Sequence, residues 1–272
     1  MKKVAAIFIT ALVLSLAGTV CVSAADLSTA NAKAEVLKYL NLFKGSDAGL
    51  ELERAPTRIE SLVSLIRLCG NEKAALDGAW EHPFTDIGEW ADSYVGMAYE
   101  TGIIKGISQT EFGADETATA QQFVTFALRA LGYSDTEGDF GYETAIDFGK
   151  QTGIVEAEIN INRFLRADMV AVSYRTLFTS LKDSGQTLSQ KLQQSGVFTA
   201  EEMENADALF KRLTAPAASS NADTAVQEEN KEAEYDEFDI YFKGEAYTDP
   251  ENSGYDENGE YDEYDEYDEF GE

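Results

Sequence analysis

Cysteine, histidine, proline and positive charge are all scarce in this 272-residue sequence. Two cysteines, Cys21 and Cys69, exclude a disulfide framework or a Cys-rich zinc site. The one histidine, His82, lies before Pro83 in a loop and is expected at the surface, with no second imidazole to complete a metal set; no cofactor is expected. Twenty-one basic side chains face 50 acidic ones, a net charge of −29, and such a chain gains nothing from a phosphate backbone, so no nucleic-acid partner is expected. Gly-x-Ser-x-Gly, P-loop and dinucleotide fingerprints are absent, and nothing singles out a carboxylate pair for glycoside hydrolysis, so the sequence reads as a non-enzyme. What it does have is 44% hydrophobic and 11% aromatic residues, enough to supply a core.

The two ends differ in kind from the middle. Lys2 and Lys3 precede an apolar run from Val4 to Val22 that closes on Ser23-Ala24-Ala25, the layout of a secretory signal peptide over residues 1–24. An uncleaved anchor is the rival reading; after cleavage no membrane span remains. Cys69 would then be the one thiol left, and it sits in an apolar helical pattern as a small hydrophobe. From Thr224 to Glu272 twenty acidic residues meet only Lys231 and Lys243, so this end holds most of the net negative charge. Its Tyr-Asp-Glu triplets over 260–270 offer no aliphatic periodicity, and residues 214–272 read as a disordered acidic tail behind a linker at Ala215–Asp223. The tail lacks the register of a calcium loop, though weak, delocalised Ca2+ association is compatible with it. The tyrosines are open to use as aromatic anchors or as modification sites.

Between the ends the chain repeats itself. Thr57-Arg58-Ile59-Glu60 through Gly70 aligns with Thr119-Ala120-Gln121-Gln122 through Gly132, and Leu42-Phe43-Lys44-Gly45 aligns with Ile103-Ile104-Lys105-Gly106. A third copy has Thr152-Gly153-Ile154-Val155 and Leu165-Arg166-Ala167-Asp168. Helical stripes run through Trp90, Tyr94, Met97 and Ala98, through Thr119, Phe123, Phe126, Ala127 and Ala130, and from Met169 to Leu181. A capping box at Thr199-Ala200-Glu201-Glu202 opens a last helix with Met203, Ala206, Phe210 and Leu213 on one face. The expected fold is all-α: three helix-loop-helix repeats, over 33–76, 82–133 and 138–182, packed as a pseudo-trimeric bundle, with a C-terminal helical extension over 183–213. The ordered part is expected to run from about Ala32 to Leu213.

Phe84-Thr85-Asp86-Ile87, Trp90-Ala91, Thr101-Gly102-Ile103-Ile104-Lys105-Gly106 and Phe112, followed by the Thr119 helix, resemble the S-layer homology (SLH) repeat. The resemblance covers about residues 33–182. The first copy keeps Pro56-Thr57-Arg58-Ile59-Glu60 without Trp-Ala, the third keeps Arg166-Ala167-Asp168 without Phe-x-Asp, and the second has Ala120-Gln121-Gln122 where Arg-Ala-Glu is expected. It implies non-covalent attachment of an exported protein to a secondary cell-wall polysaccharide, a peptidoglycan-linked polymer that often carries ketal-linked pyruvate, and a location at the cell wall or surface.

Under that resemblance Arg58 and Arg166 would hold a carboxylate, Glu60 and Asp168 would orient the arginines or accept sugar hydroxyls, and Trp90 would face a sugar ring. Each residue has a plainer reading. The arginines would pair with neighbouring carboxylates as exposed ion pairs, Trp90 would pack in the core with Tyr94 and Met97, and Asp86 would cap a helix. The alternative function is a surface scaffold or interaction protein whose Tyr-rich acidic tail binds a partner or cations.

Overall fold

The computed structural model describes residues 24–215. The expected signal peptide and acidic tail therefore lie, apart from Ala24 at one boundary and Thr214 and Ala215 at the other, outside the described residues. These residues form helices joined by loops, with no β-strand among them. In chain order the helices are α1 (Ala24–Tyr39), α2 (Arg58–Leu68), α3 (Glu72–Asp77), α4 (Asp92–Glu100), α5 (Ala120–Ala130), α6 (Ala145–Thr152), α7 (Arg166–Leu177), α8 (Leu188–Gln194) and α9 (Ala200–Thr214). No helix among the described residues is long and apolar enough to cross a membrane.

Local chemistry sets the helix ends. Thr57 accepts a hydrogen bond from the Glu60 backbone N–H at 3.2 Å while Glu60 accepts one from the Thr57 N–H at 2.8 Å, a reciprocal cap that opens α2. Thr119 with Gln122 opens α5 in the same way, and Thr199 with Glu202 opens α9. At the start of α7 the N-cap is Leu165, which has no side-chain oxygen, and Asp168 alone closes the turn by accepting from the Leu165 N–H at 2.8 Å. Gly132 ends α5 at φ 95°, where a side chain would be strained, so that the N–H groups of Gly132 and Tyr133 reach back to the carbonyls of Arg129 and Leu128.

Helices α2, α5 and α7 pack on one another, and each has a second neighbour: α4 against α2, α6 against α5, α1 against α7. Phe43, Phe112 and Phe123 are fully buried at this centre together with Leu62, Leu65, Ile104 and Leu128. Helix α9 buries Met203, Ala206 and Leu209 and packs along α1. Three elements depart from expectation. The helical region starts earlier than Ala32: α1 begins at Ala24, and Ala30 is already buried on the face that continues through Ala34 and Leu37. Helix α7 stops at Leu177 instead of running to Leu181: Thr176 and Thr179 turn their hydroxyls onto the carbonyls of Val172 and Arg175, and the chain leaves the helix. The short helix α8, capped by Thr187 and Gln190, has no counterpart in the sequence reading.

Candidate functional site

Two helix starts are seated on two loops by the same set of bonds. The first residue of α2, Arg58, donates its backbone N–H to the Glu116 carbonyl at 2.8 Å, and Ile59 donates to Ala114 at 3.1 Å. The Arg58 side chain continues the seam, with Nε on the Phe112 carbonyl at 2.8 Å and Nη2 on the Lys105 carbonyl at 3.0 Å. The first residue of α7, Arg166, repeats this on an earlier loop: its N–H meets the Arg54 carbonyl at 2.9 Å, Ala167 meets Leu52 at 3.0 Å, and Arg166 Nε meets the Leu50 carbonyl at 3.0 Å. Both guanidinium groups lie over aromatic rings, Arg58 at 4.6 Å from the Phe112 centroid and 4.8 Å from that of Phe126, Arg166 at 5.6 Å from that of Phe43. The first residue of α5 is Ala120, so that helix start brings no guanidinium.

Neither arginine is the exposed ion pair of the plainer reading; each is 5% exposed. Their electrostatics differ. Among the described residues no carboxylate pairs with Arg58, and burial lowers its pKa to about 10, opposed by the Tyr142 hydroxyl and by the more weakly acting Glu116 and Asp86. Arg166 has Glu60 Oε2 4.0 Å from Nη1, and burial lowers its pKa as well. Glu60 itself is committed to Arg54, with both carboxylate oxygens 2.7 Å from guanidinium nitrogens. Burial opposes the charge on Glu60, but the Arg54 pair and the Thr57 N–H outweigh it and the pKa falls. On its other side Arg54 is held by Glu51 at 2.9 Å through both Nε and Nη2. Hydrogen bonds from Arg54 and then from Ser46 bring Glu51 down to about 2.

Asp168 does not meet Arg166. Its two oxygens accept from the backbone N–H groups of Asn160 and Leu165, each at 2.8 Å, and burial raises its pKa against those bonds. Trp90 is 61% exposed on a 3₁₀ turn at Glu89–Ala91 and is not a core residue; Ala91, Tyr94 and Met97 take the buried positions. Asp86 is not a helix cap. It gathers the N–H groups of Phe112, Gly113 and Ala114 at 2.8, 2.6 and 3.2 Å, which closes the loop under Arg58. His82 is less exposed than expected, its side chain 6% accessible, stacked on Phe84 with Nε2 3.1 Å from Asp92 Oδ1.

Two residues escaped the sequence reading. Tyr142, 44% exposed on a 3₁₀ turn at Tyr142–Thr144, presents an aromatic ring, and its backbone carbonyl is held by Gln121 of α5. A signal was available, since Gly88-Glu89-Trp90 and Gly141-Tyr142 both place an aromatic just after a glycine and ahead of a helix. Arg54 had no such signal: its partners Glu51 and Glu60 stand in no motif with it. Among the described residues no group of three His, Cys, Asp or Glu side chains is placed to hold a metal ion.

Comparison with known proteins bears on the segment that carries Phe84, Asp86, Trp90 and Phe112. Over 146 residues, 52% of this chain and 19% of the relative, the sequence is 27% identical to a cell surface protein of Thermoanaerobacter kivui. Over 81 residues, 30% of this chain and 8% of the relative, it is 36% identical to an endoglucanase of Bacillus sp. (strain KSM-635). The match thus spans under a fifth of the length of either relative. Residues 83–124, from the start of this segment into α5, match the family model of the S-layer homology domain.

Proposed function

We propose that this chain attaches an exported protein, without a covalent bond, to an anionic polymer of the bacterial cell wall, and that the start of α2 is the main contact. The observation that carries the reading is Arg58: a guanidinium 5% exposed, held by two carbonyls and met by no carboxylate among the described residues. A buried cation with no carboxylate in contact is costly, and an arriving carboxylate or phosphate offsets that cost. The SLH match supplies the polymer class, because that family binds cell-wall polymers. Ketal-linked pyruvate, which the resemblance implies, offers a carboxylate of suitable size. Exposed Tyr142 and Trp90, each on its own 3₁₀ turn, supply faces for sugar rings. Arg166 takes a lesser part because Glu60 already stands 4.0 Å away, while Asp168 and Glu60 act on the protein's own groups.

The same reading divides residues 33–182 into three helix-loop-helix units around one axis. Its support is the mutual packing of α2, α5 and α7, each with a second neighbour of its own. The chain then works at the cell wall or surface after export. Co-sedimentation with purified walls tests the function. Retention of the native chain and release of Arg58→Lys, with helix content unchanged by circular dichroism, is the expected result; equal retention of both contradicts it.

A further inference from the structure

The loops under Arg58 and Arg166 share an unusual backbone, and only one of them is closed. Gly113 at φ 79° and Glu51 at φ 49° occupy the same left-handed place, each following the residue, Phe112 or Leu50, whose carbonyl holds an arginine. Around Gly113 the N–H groups of Phe112, Gly113 and Ala114 converge on the Asp86 carboxylate. The corresponding N–H groups of Leu50, Glu51 and Leu52 have no acceptor among the described residues. In place of a carboxylate there is a cleft of about 510 Å³, lined by Leu27, Leu50 and Leu52 with Asn31, Glu51, Glu53 and Arg54.

The occupant of the closed loop indicates what the open one fits. Asp86 arrives on a loop whose Phe84, two residues earlier, lies edge-on to Tyr99 and 5.8 Å from the Phe112 ring. An aromatic residue two positions before a carboxylate therefore satisfies such a loop: the ring covers apolar surface and the carboxylate takes three converging N–H groups. The open cleft offers the same pair of features, leucine side chains beside three unpartnered N–H groups. The sequence beyond the described residues repeats this spacing at Tyr261 and Glu263, Tyr264 and Glu266, and Tyr267 and Glu269.

We infer that this cleft is a peptide-docking site for an aromatic-x-carboxylate segment, and that its occupant is the Tyr-Asp-Glu run of a second copy of the chain. The contact links one molecule to the next and is independent of wall binding. With a net charge of −29 on each copy and Glu53 at the cleft, salt screens the repulsion and strengthens the association.

Sedimentation equilibrium of the full chain over a range of concentrations, with and without a synthetic peptide of residues 260–270, tests it. Association that rises with concentration and salt, is reversed by the peptide, and is lost in Asn31→Trp with helix content intact is the expected result; a peptide with glutamine at 263, 266 and 269 competes about tenfold less well. In a 15N-labelled chain the amides of Leu50, Glu51 and Leu52 shift as association proceeds. A chain that stays monomeric, association indifferent to the peptide or to Asn31→Trp, or amides that respond only to acetate or to wall polymer overturns the proposal.

Discussion

The Arg58 guanidinium lies over the Phe112 ring and donates to the carbonyl of that same residue, 54 positions along the chain. One side chain thus ties a helix start to a distant loop while no carboxylate among the described residues is in contact with its charge, so structural and binding roles meet in it.

Arg58→Ala removes two hydrogen bonds to buried carbonyls and costs about 2–4 kcal/mol. Arg58→Lys keeps a charge that reaches fewer acceptors and costs less, about 1–2 kcal/mol. Urea unfolding followed by circular dichroism separates the two, and only the lysine variant is suited to binding assays.

Trp90→Ala leaves stability within about 0.5 kcal/mol, because the ring is 61% exposed and Ala91, Tyr94 and Met97 do the packing. Wall retention falls. A thermal scan and a sedimentation assay on the same sample check both halves, and a large loss of stability would return Trp90 to the core.

Gly113→Ala destabilises by about 1–2 kcal/mol, since φ 79° is unfavourable for a residue with a Cβ and the new methyl meets the Glu116 carboxylate at 3.1 Å. Chemical denaturation reads it directly. A neutral outcome would mean the loop relaxes away from the left-handed region.

Acid unfolding reports on Glu72, which accepts from Lys44 at 2.8 Å, from Arg67 at 2.7 Å and from the Tyr94 hydroxyl at 2.9 Å. Burial opposes its charge, but these bonds prevail and lower its pKa from 4.5 to about 2. Because the folded value lies below the unfolded one, the stabilisation is present above about pH 4.5 and is lost as pH falls toward 2. Glu72→Gln flattens this part of the stability–pH curve, by about 1 kcal/mol for a surface carboxylate that solvent still reaches. An unchanged acid limb would count against the network.

The helices were legible in the sequence where capping and periodicity agree. The capping box of Thr199 with Glu202 announces α9 and the stripe from Thr119 announces α5; the structure forms that cap, and closes α2 and α5 with the like pairs Thr57–Glu60 and Thr119–Gln122. Tertiary detail was not legible. The resemblance set Glu60 to orient Arg58, yet within the first turn of a helix those side chains diverge, and Glu60 turns to Arg54. Asp86 looked like a cap because it precedes a helix, but its partners lie 26 to 28 residues away. Trp90 fitted the stripe of α4 only if the helix reached it; a 3₁₀ turn intervenes and rotates the ring outward.

The most direct measurement of the central claim is the Nε–H resonance of Arg58 during titration of the 15N-labelled chain with soluble fragments of wall polymer. The account predicts that it shifts in a saturable way, with that of Arg166 moving less. Polymer that binds while the Arg58 resonance stays fixed would contradict the account.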